Sequence, residues 1–156
     1  MMSFPPNLLV GTSSWSSSDW LGAFYPPNLK PGQFIEAYAR KFPAVEIDST
    51  YYSIPSPHVV ASWREKTPPG FIFTAKIPGV ITHEKVLKDC QVEFTTFLKN
   101  ISLLGDRLGP LLLQFPYFNR NAFVSREPFE KRLRPFLQTL PKEFKFALEI
   151  RNKNWI

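Results

Sequence analysis

A chain of 156 residues with 44% hydrophobic and 15% aromatic content can bury a real core, which excludes a disordered polypeptide and fits a single domain over residues 1–156 with no internal linker. The lone cysteine, Cys90, excludes an internal disulfide and a cysteine-based zinc cluster. The formal net charge of +6 favours an anionic partner, such as phosphate, nucleotide or nucleic acid, over a cationic one.

The opening run Met1-Met2-Ser3-Phe4-Pro5-Pro6 lacks the basic and apolar regions of a leader peptide, and no stretch reaches the ~20 apolar residues of a membrane span. The expectation is therefore a cytoplasmic protein with no membrane partner. Residues 8–11, an apolar run ended by glycine, predict the first strand. A helix follows from about Pro31, with Phe34, Tyr38 and Phe42 on one stripe. Residues 45–49 read as a strand and residues 57–66 as a short helix, stopped by Pro68-Pro69-Gly70. The next strand spans residues 71–77.

Phe94, Phe97, Leu98, Ile101 and Leu104 predict an amphipathic helix over residues 90–104. Gly109-Pro110 separates it from a strand at residues 111–115. A helix over residues 128–140 carries Pro135, which is expected to kink or interrupt it. Residues 146–150 form the last strand.

Alternating strands and helices imply a parallel sheet with right-handed crossovers. Two architectures satisfy the pattern. One is a five-stranded doubly wound, flavodoxin-like sheet. The other is the N-terminal portion, five strands and four helices, of a (β/α)8 TIM barrel, which needs about 250 residues when complete. A flavodoxin-like domain closes with a helix, whereas only residues 152–156 follow the last strand here.

Two of the strands carry charge where a buried strand should be apolar. Side chains alternate between the faces of a strand, so Val45 and Ile47 oppose Glu46 and Asp48, and Leu148 and Ile150 oppose Glu149 and Arg151. Applied to every strand, the rule collects Glu46, Asp48, Thr74, Lys76, Gln114, Glu149 and Arg151 on one face, near the carboxyl ends where parallel α/β folds place their sites. Glu46, Asp48 and Glu149 are the candidate acid, base or metal-binding groups, and a divalent metal is the cofactor such carboxylates would take. Lys76 and Arg151 are candidate anion holders. The bland reading of the same residues is structural: Glu46 paired with Lys76, and Glu149 paired with Arg151.

The loops add Thr12 and Trp15 in Gly11-Thr12-Ser13-Ser14-Trp15, Tyr51 in Thr50-Tyr51-Tyr52, and His83, which could reach the same rim as ligand or proton shuttle. Two function classes follow. The first is an enzyme-like site for a small phosphorylated or sugar-like ligand. The second is a nucleic-acid-binding module in which Trp15, Trp20, Tyr51 and Tyr52 stack on bases.

These same residues carry a resemblance. Gly11 to Trp15, Asp19-Trp20, Phe24-Tyr25-Pro26, Val45 to Tyr52, Thr67 to Phe73, Ile81-Thr82-His83, Gln114-Phe115-Pro116 and Glu149-Ile150-Arg151 resemble, in order and spacing, the YecE-like family, domain of unknown function number seventy-two. The resemblance implies a TIM-barrel fold, brings no established reaction, and implies that the last three strands are absent. Asn152 stands where the family often has histidine after the arginine. On this reading the chain is a truncated barrel with open edges, expected to be marginally stable, to self-associate or to need a second chain, or to be inactive.

Overall fold

The computed structural model describes Pro5 and residues 8–155, so the reading of residues 1–6 for a leader lies, Pro5 apart, outside the described residues. Four parallel strands form one sheet: β1 (Ala44–Ile47), β2 (Ile72–Lys76), β3 (Leu108–Phe115) and β4 (Phe146–Ile150). Their order across the sheet, β1-β2-β3-β4, is their order along the chain. A flavodoxin-like sheet reverses its strand order at a switch point. The uninterrupted order removes that alternative and leaves an α/β fold built on a parallel four-stranded sheet.

The strand expected at residues 8–11 is reduced and displaced. Leu8 and Leu9 are about half exposed, and regular pairing is confined to one bridge between Ser13 and Glu46. There Glu46 N–H donates to the Thr12 carbonyl (3.0 Å) and Ser14 N–H to the Glu46 carbonyl (2.9 Å). The segment therefore lies beside β1 as extended backbone without becoming a full strand.

The helices are α1 (Phe34–Ala39), α2 (Pro57–Glu65), α3 (Gln91–Ile101) and α4 (Arg126–Gln138). α2 begins where Ser56 Oγ accepts from Val59 N–H and Pro57 occupies the first turn, a position that needs no amide donor. α4 starts two residues before the expected Pro128 and is not interrupted at Pro135. Pro135 and Lys131 are both exposed, so water can reach the Lys131 carbonyl that the proline leaves without a donor. β3 begins at Leu108, through the Gly109-Pro110 pair read as a break. The register with β2 shifts at this point, and glycine and proline are tolerated in strands at such irregularities.

Alternation holds along the sheet. Val45, Ile47, Phe73, Ala75, Leu111, Leu113 and Phe115 are all at most 2% exposed, and with Phe94, Phe97, Ile101 and Phe129 from the helices they form the core. The opposite face, carrying Glu46, Thr74, Lys76, Leu112 and Gln114, is only partly buried. β4 is the looser edge: Leu148, on the core side, is 44% exposed. No helix among the described residues is long and apolar enough to cross a membrane.

Candidate functional site

The partly buried face gathers its charges into two linked groups. β1 ends at Ile47, and Asp48 turns into helical backbone as the cap of the 3-10 turn Ser49–Tyr51. The turn is fastened beneath: Thr50 Oγ1 lies within hydrogen-bond distance of the Ile47 carbonyl (2.8 Å) and the Lys76 carbonyl (2.7 Å). Lys76, at the end of β2, donates from Nζ to Asp48 Oδ1 (2.5 Å) and lies 3.7 Å from Glu46 Oε1. Ser13 Oγ donates to the same Glu46 oxygen (3.0 Å). Burial pushes the Lys76 pKa down, but the Asp48 hydrogen bond and the charges of Glu46, Asp48 and Glu149 outweigh it and hold the ammonium above the ordinary lysine value.

The second group sits on β3 and β4. Gln114 and Glu149 are register partners, and Gln114 Nε2 donates to Glu149 Oε2 (2.8 Å). Arg151 Nε donates to Glu149 Oε1 (3.0 Å). The Gln114 hydrogen bond, followed by the hydrogen bond and charge of Arg151 and the charge of Lys76, keeps the Glu149 carboxyl below the usual range against the opposing effect of burial. The two groups therefore feel each other's charge.

His83 stands at the rim of this field. Residues Val80–Glu84 form a π-helical turn, closed by Lys85 N–H donating to the Val80 carbonyl (2.9 Å); π-turns are rare and recur at functional sites. His83 Nδ1 lies 2.8 Å from Thr82 Oγ1, and its ring meets Tyr51 edge-on at 4.9 Å. Tyr51 in turn presses on Gly79, where an added Cβ would lie 2.8 Å from the ring. Burial, then the charges of Arg151 and Lys76, lowers the His83 pKa from 6.5, so the imidazole is neutral at pH 7.

The structure thus brings together Glu46, Asp48, Lys76, Gln114, Glu149 and Arg151, with Tyr51 and His83 at the edge. Thr12 and Trp15 are engaged elsewhere. Thr12 N–H donates to the Tyr38 hydroxyl (2.7 Å), and Trp15 packs edge-on against Trp63 (5.6 Å) and the buried Phe73. Trp20 is likewise packed against Phe24, Tyr25 and Tyr38, and both tryptophans are partly buried. Ser13 is the loop residue that reaches the site, and strict alternation along the segment, which puts Ser13 and Thr12 on opposite sides, would have found it. The carboxylates converge on Lys76 and Gln114, and no group of three His, Cys, Asp or Glu side chains among the described residues could hold a metal ion.

Residues 9–156 match the family described as "Protein of unknown function DUF72". The chain belongs to the DUF72 family. It is 35% identical over 145 residues to the UPF0759 protein YecE of Escherichia coli K12, covering 93% of this chain and 48% of that protein. It is 27% identical over 154 residues to the UPF0759 protein YunF of Bacillus subtilis, covering 95% of this chain and 52% of the other. The crystal structure of a DUF72 family protein from Thermotoga maritima superposes with a TM-score of 0.73 at 36% identity, over 94% of this chain and 56% of that one. This DUF72 chain therefore spans about half the length of the curated relatives it matches.

The His83 shift has a consequence for the DUF72 chain that solution pH can test. A histidine whose folded pKa lies below its unfolded value adds stability above about pH 6.5 that is lost as pH falls through the folded pKa. The melting temperature should fall between pH 7.5 and pH 5.5, and His83→Gln should flatten that fall; calorimetric scans of both proteins across the window decide it.

Proposed function

We propose that the partly buried face is a binding and proton-transfer site for a small phosphorylated or sugar-like ligand, and that the sheet is the first part of a (β/α)8 barrel whose interior this face lines. The observation that carries the reading is the convergence of Glu149, hydrogen-bonded by Gln114 and Arg151, and Lys76, paired with Glu46 and Asp48, on one sheet face, with His83 packed on Tyr51 at its rim. A neutral imidazole and a carboxylate can both accept a proton near neutral pH. Arg151 gives only Nε to Glu149, which leaves its terminal nitrogens for an anion. Lys76, matched to two carboxylates, suits a positioning role better than an anion-holding one.

The barrel reading rests on the sequential all-parallel strand order and on the polarity of the face opposite the core. In it, the outer edge of β4 takes a further parallel strand. The test uses fructose 6-phosphate and related sugar phosphates with the chain and with E. coli YecE, following ligand binding by calorimetry and solvent-deuterium exchange into the ligand by NMR. Arg151→Gln should weaken binding by roughly tenfold, the loss of a charge-assisted contact. Glu149→Gln and His83→Gln should keep binding and lose exchange by about 100-fold or more. Exchange that survives both changes would sink the proton-transfer role.

A further inference from the structure

The loops after β3 and β4 line a half-open cavity of about 590 Å³ that shares only Arg151 with the groups described on the sheet face. Its volume falls within the range of small-molecule sites. Three cations line it, Arg120, Arg151 and Lys153, and none of the residues around it is acidic. Among the described residues, Arg120 and Lys153 have no carboxylate within salt-bridge distance. The rest of the wall is largely aromatic: Tyr117 is 69% exposed and, among the described residues, has no ring packed on it, while Phe123 and Trp155 also line the hollow.

The cavity is held in shape by its own loops. Asn152, 6% exposed, accepts from Phe118 N–H (2.8 Å) and donates to the Phe118 carbonyl (2.9 Å), pinning one loop to the other. Trp155 stacks on Phe118 at 5.9 Å with the rings inclined by 18°, and meets Phe129 of α4 at 5.5 Å. Positive charge and planar apolar surface in one preformed hollow call for a ligand with an anionic end and a flat ring. Aromatic rings stack on nucleobases without demanding a particular base, and guanidinium and ammonium groups bind phosphate.

We infer that this cavity is a nucleoside-phosphate site, with the base against Tyr117 and Trp155 and the phosphate between Arg120, Arg151 and Lys153. The site stands on the loop residues, so it holds or fails apart from proton transfer on the sheet face. A free nucleotide and the phosphorylated end of an oligonucleotide present the same chemistry.

Calorimetric titration with AMP, adenosine and inorganic phosphate tests it. AMP should bind, and adenosine and phosphate should each bind at least roughly tenfold more weakly, since each lacks one half of the recognised chemistry. Arg120→Glu with Lys153→Glu, both at exposed positions, should lower AMP affinity by about tenfold or more. Trp155→Phe should remove the fluorescence quench that accompanies binding. A 5′-phosphorylated pentanucleotide that outcompetes AMP makes the ligand a strand end; one that does not makes it a free nucleotide. No AMP binding, or affinity unmoved by the double charge reversal, overturns the site. Affinity unmoved by the double charge reversal but lost in Arg151→Gln moves the ligand to the sheet face, overturning this cavity and leaving the proposed function standing.

Discussion

Gly11→Ala should destabilise the protein by about 3 kcal/mol, the upper end of what overpacking costs. A Cβ built on Gly11 lies 2.0 Å from the Ala44 carbonyl oxygen and 2.7 Å from its carbon. Those are backbone atoms of β1, so no side-chain rotation relieves the clash. The segment must move, and the contacts after it move with it: Thr12 to the Tyr38 hydroxyl, the Ser13–Glu46 bridge, and Trp15 against Trp63. Alanine restricts the unfolded chain more than glycine does, which offsets about 0.4–1 kcal/mol and leaves a large net loss. Urea unfolding of the two proteins is the measurement. A loss below about 0.5 kcal/mol, the scatter of ordinary surface changes, would show that the segment is not seated against β1.

Asn152→Ala carries an expected effect of similar size, about 2–4 kcal/mol, because it strands two buried backbone groups at once and each costs about 1–3 kcal/mol unpaired. The amide side chain imitates a neighbouring strand, accepting from Phe118 N–H and donating to its carbonyl. Histidine does not replace it, since the two imidazole nitrogens point away from each other and cannot engage both groups of one residue side by side. Asn152→His should therefore lose stability as well. Equilibrium unfolding reads the loss, and hydrogen exchange at the Phe118 amide locates it. Phe118 protection unchanged in Asn152→Ala would show that something else satisfies that amide.

The same asparagine shows where sequence reading reached its limit. As a letter, it marked only a departure from the histidine that the family often has after the arginine. Its pairing with Phe118 joins residues 34 positions apart, and no local pattern encodes that. Alternation, by contrast, was readable because it is strictly local. Phe73, Ala75, Leu111, Leu113 and Phe115 went inward, and Lys76 and Gln114 to the other face, by period alone.

Asp48 reached the site by a different route. It left the strand for a helical turn, and its carboxylate still meets Lys76 because the turn is tied to the Lys76 carbonyl through Thr50. The residues 8–11 reading failed for another reason: an apolar run ended by glycine signals extended backbone, but pairing depends on where β1 lets the chain approach. Tryptophans at a polar loop can also serve packing, and Trp15 and Trp20 lie partly buried against the core, a contact that joins residues no local pattern links.

The turn at Val80–Glu84 has a consequence for how this part of the fold tolerates change in length. A π-turn holds one residue more than an α-turn, so deleting a single residue there would restore ordinary helical winding without opening the chain. The cost would fall on direction, since each residue advances a helix by about 100° around its axis. His83 would swing by that angle away from Tyr51 and the field of Arg151. A shorter turn would therefore change where the imidazole faces, and the extra residue sets that direction in this fold.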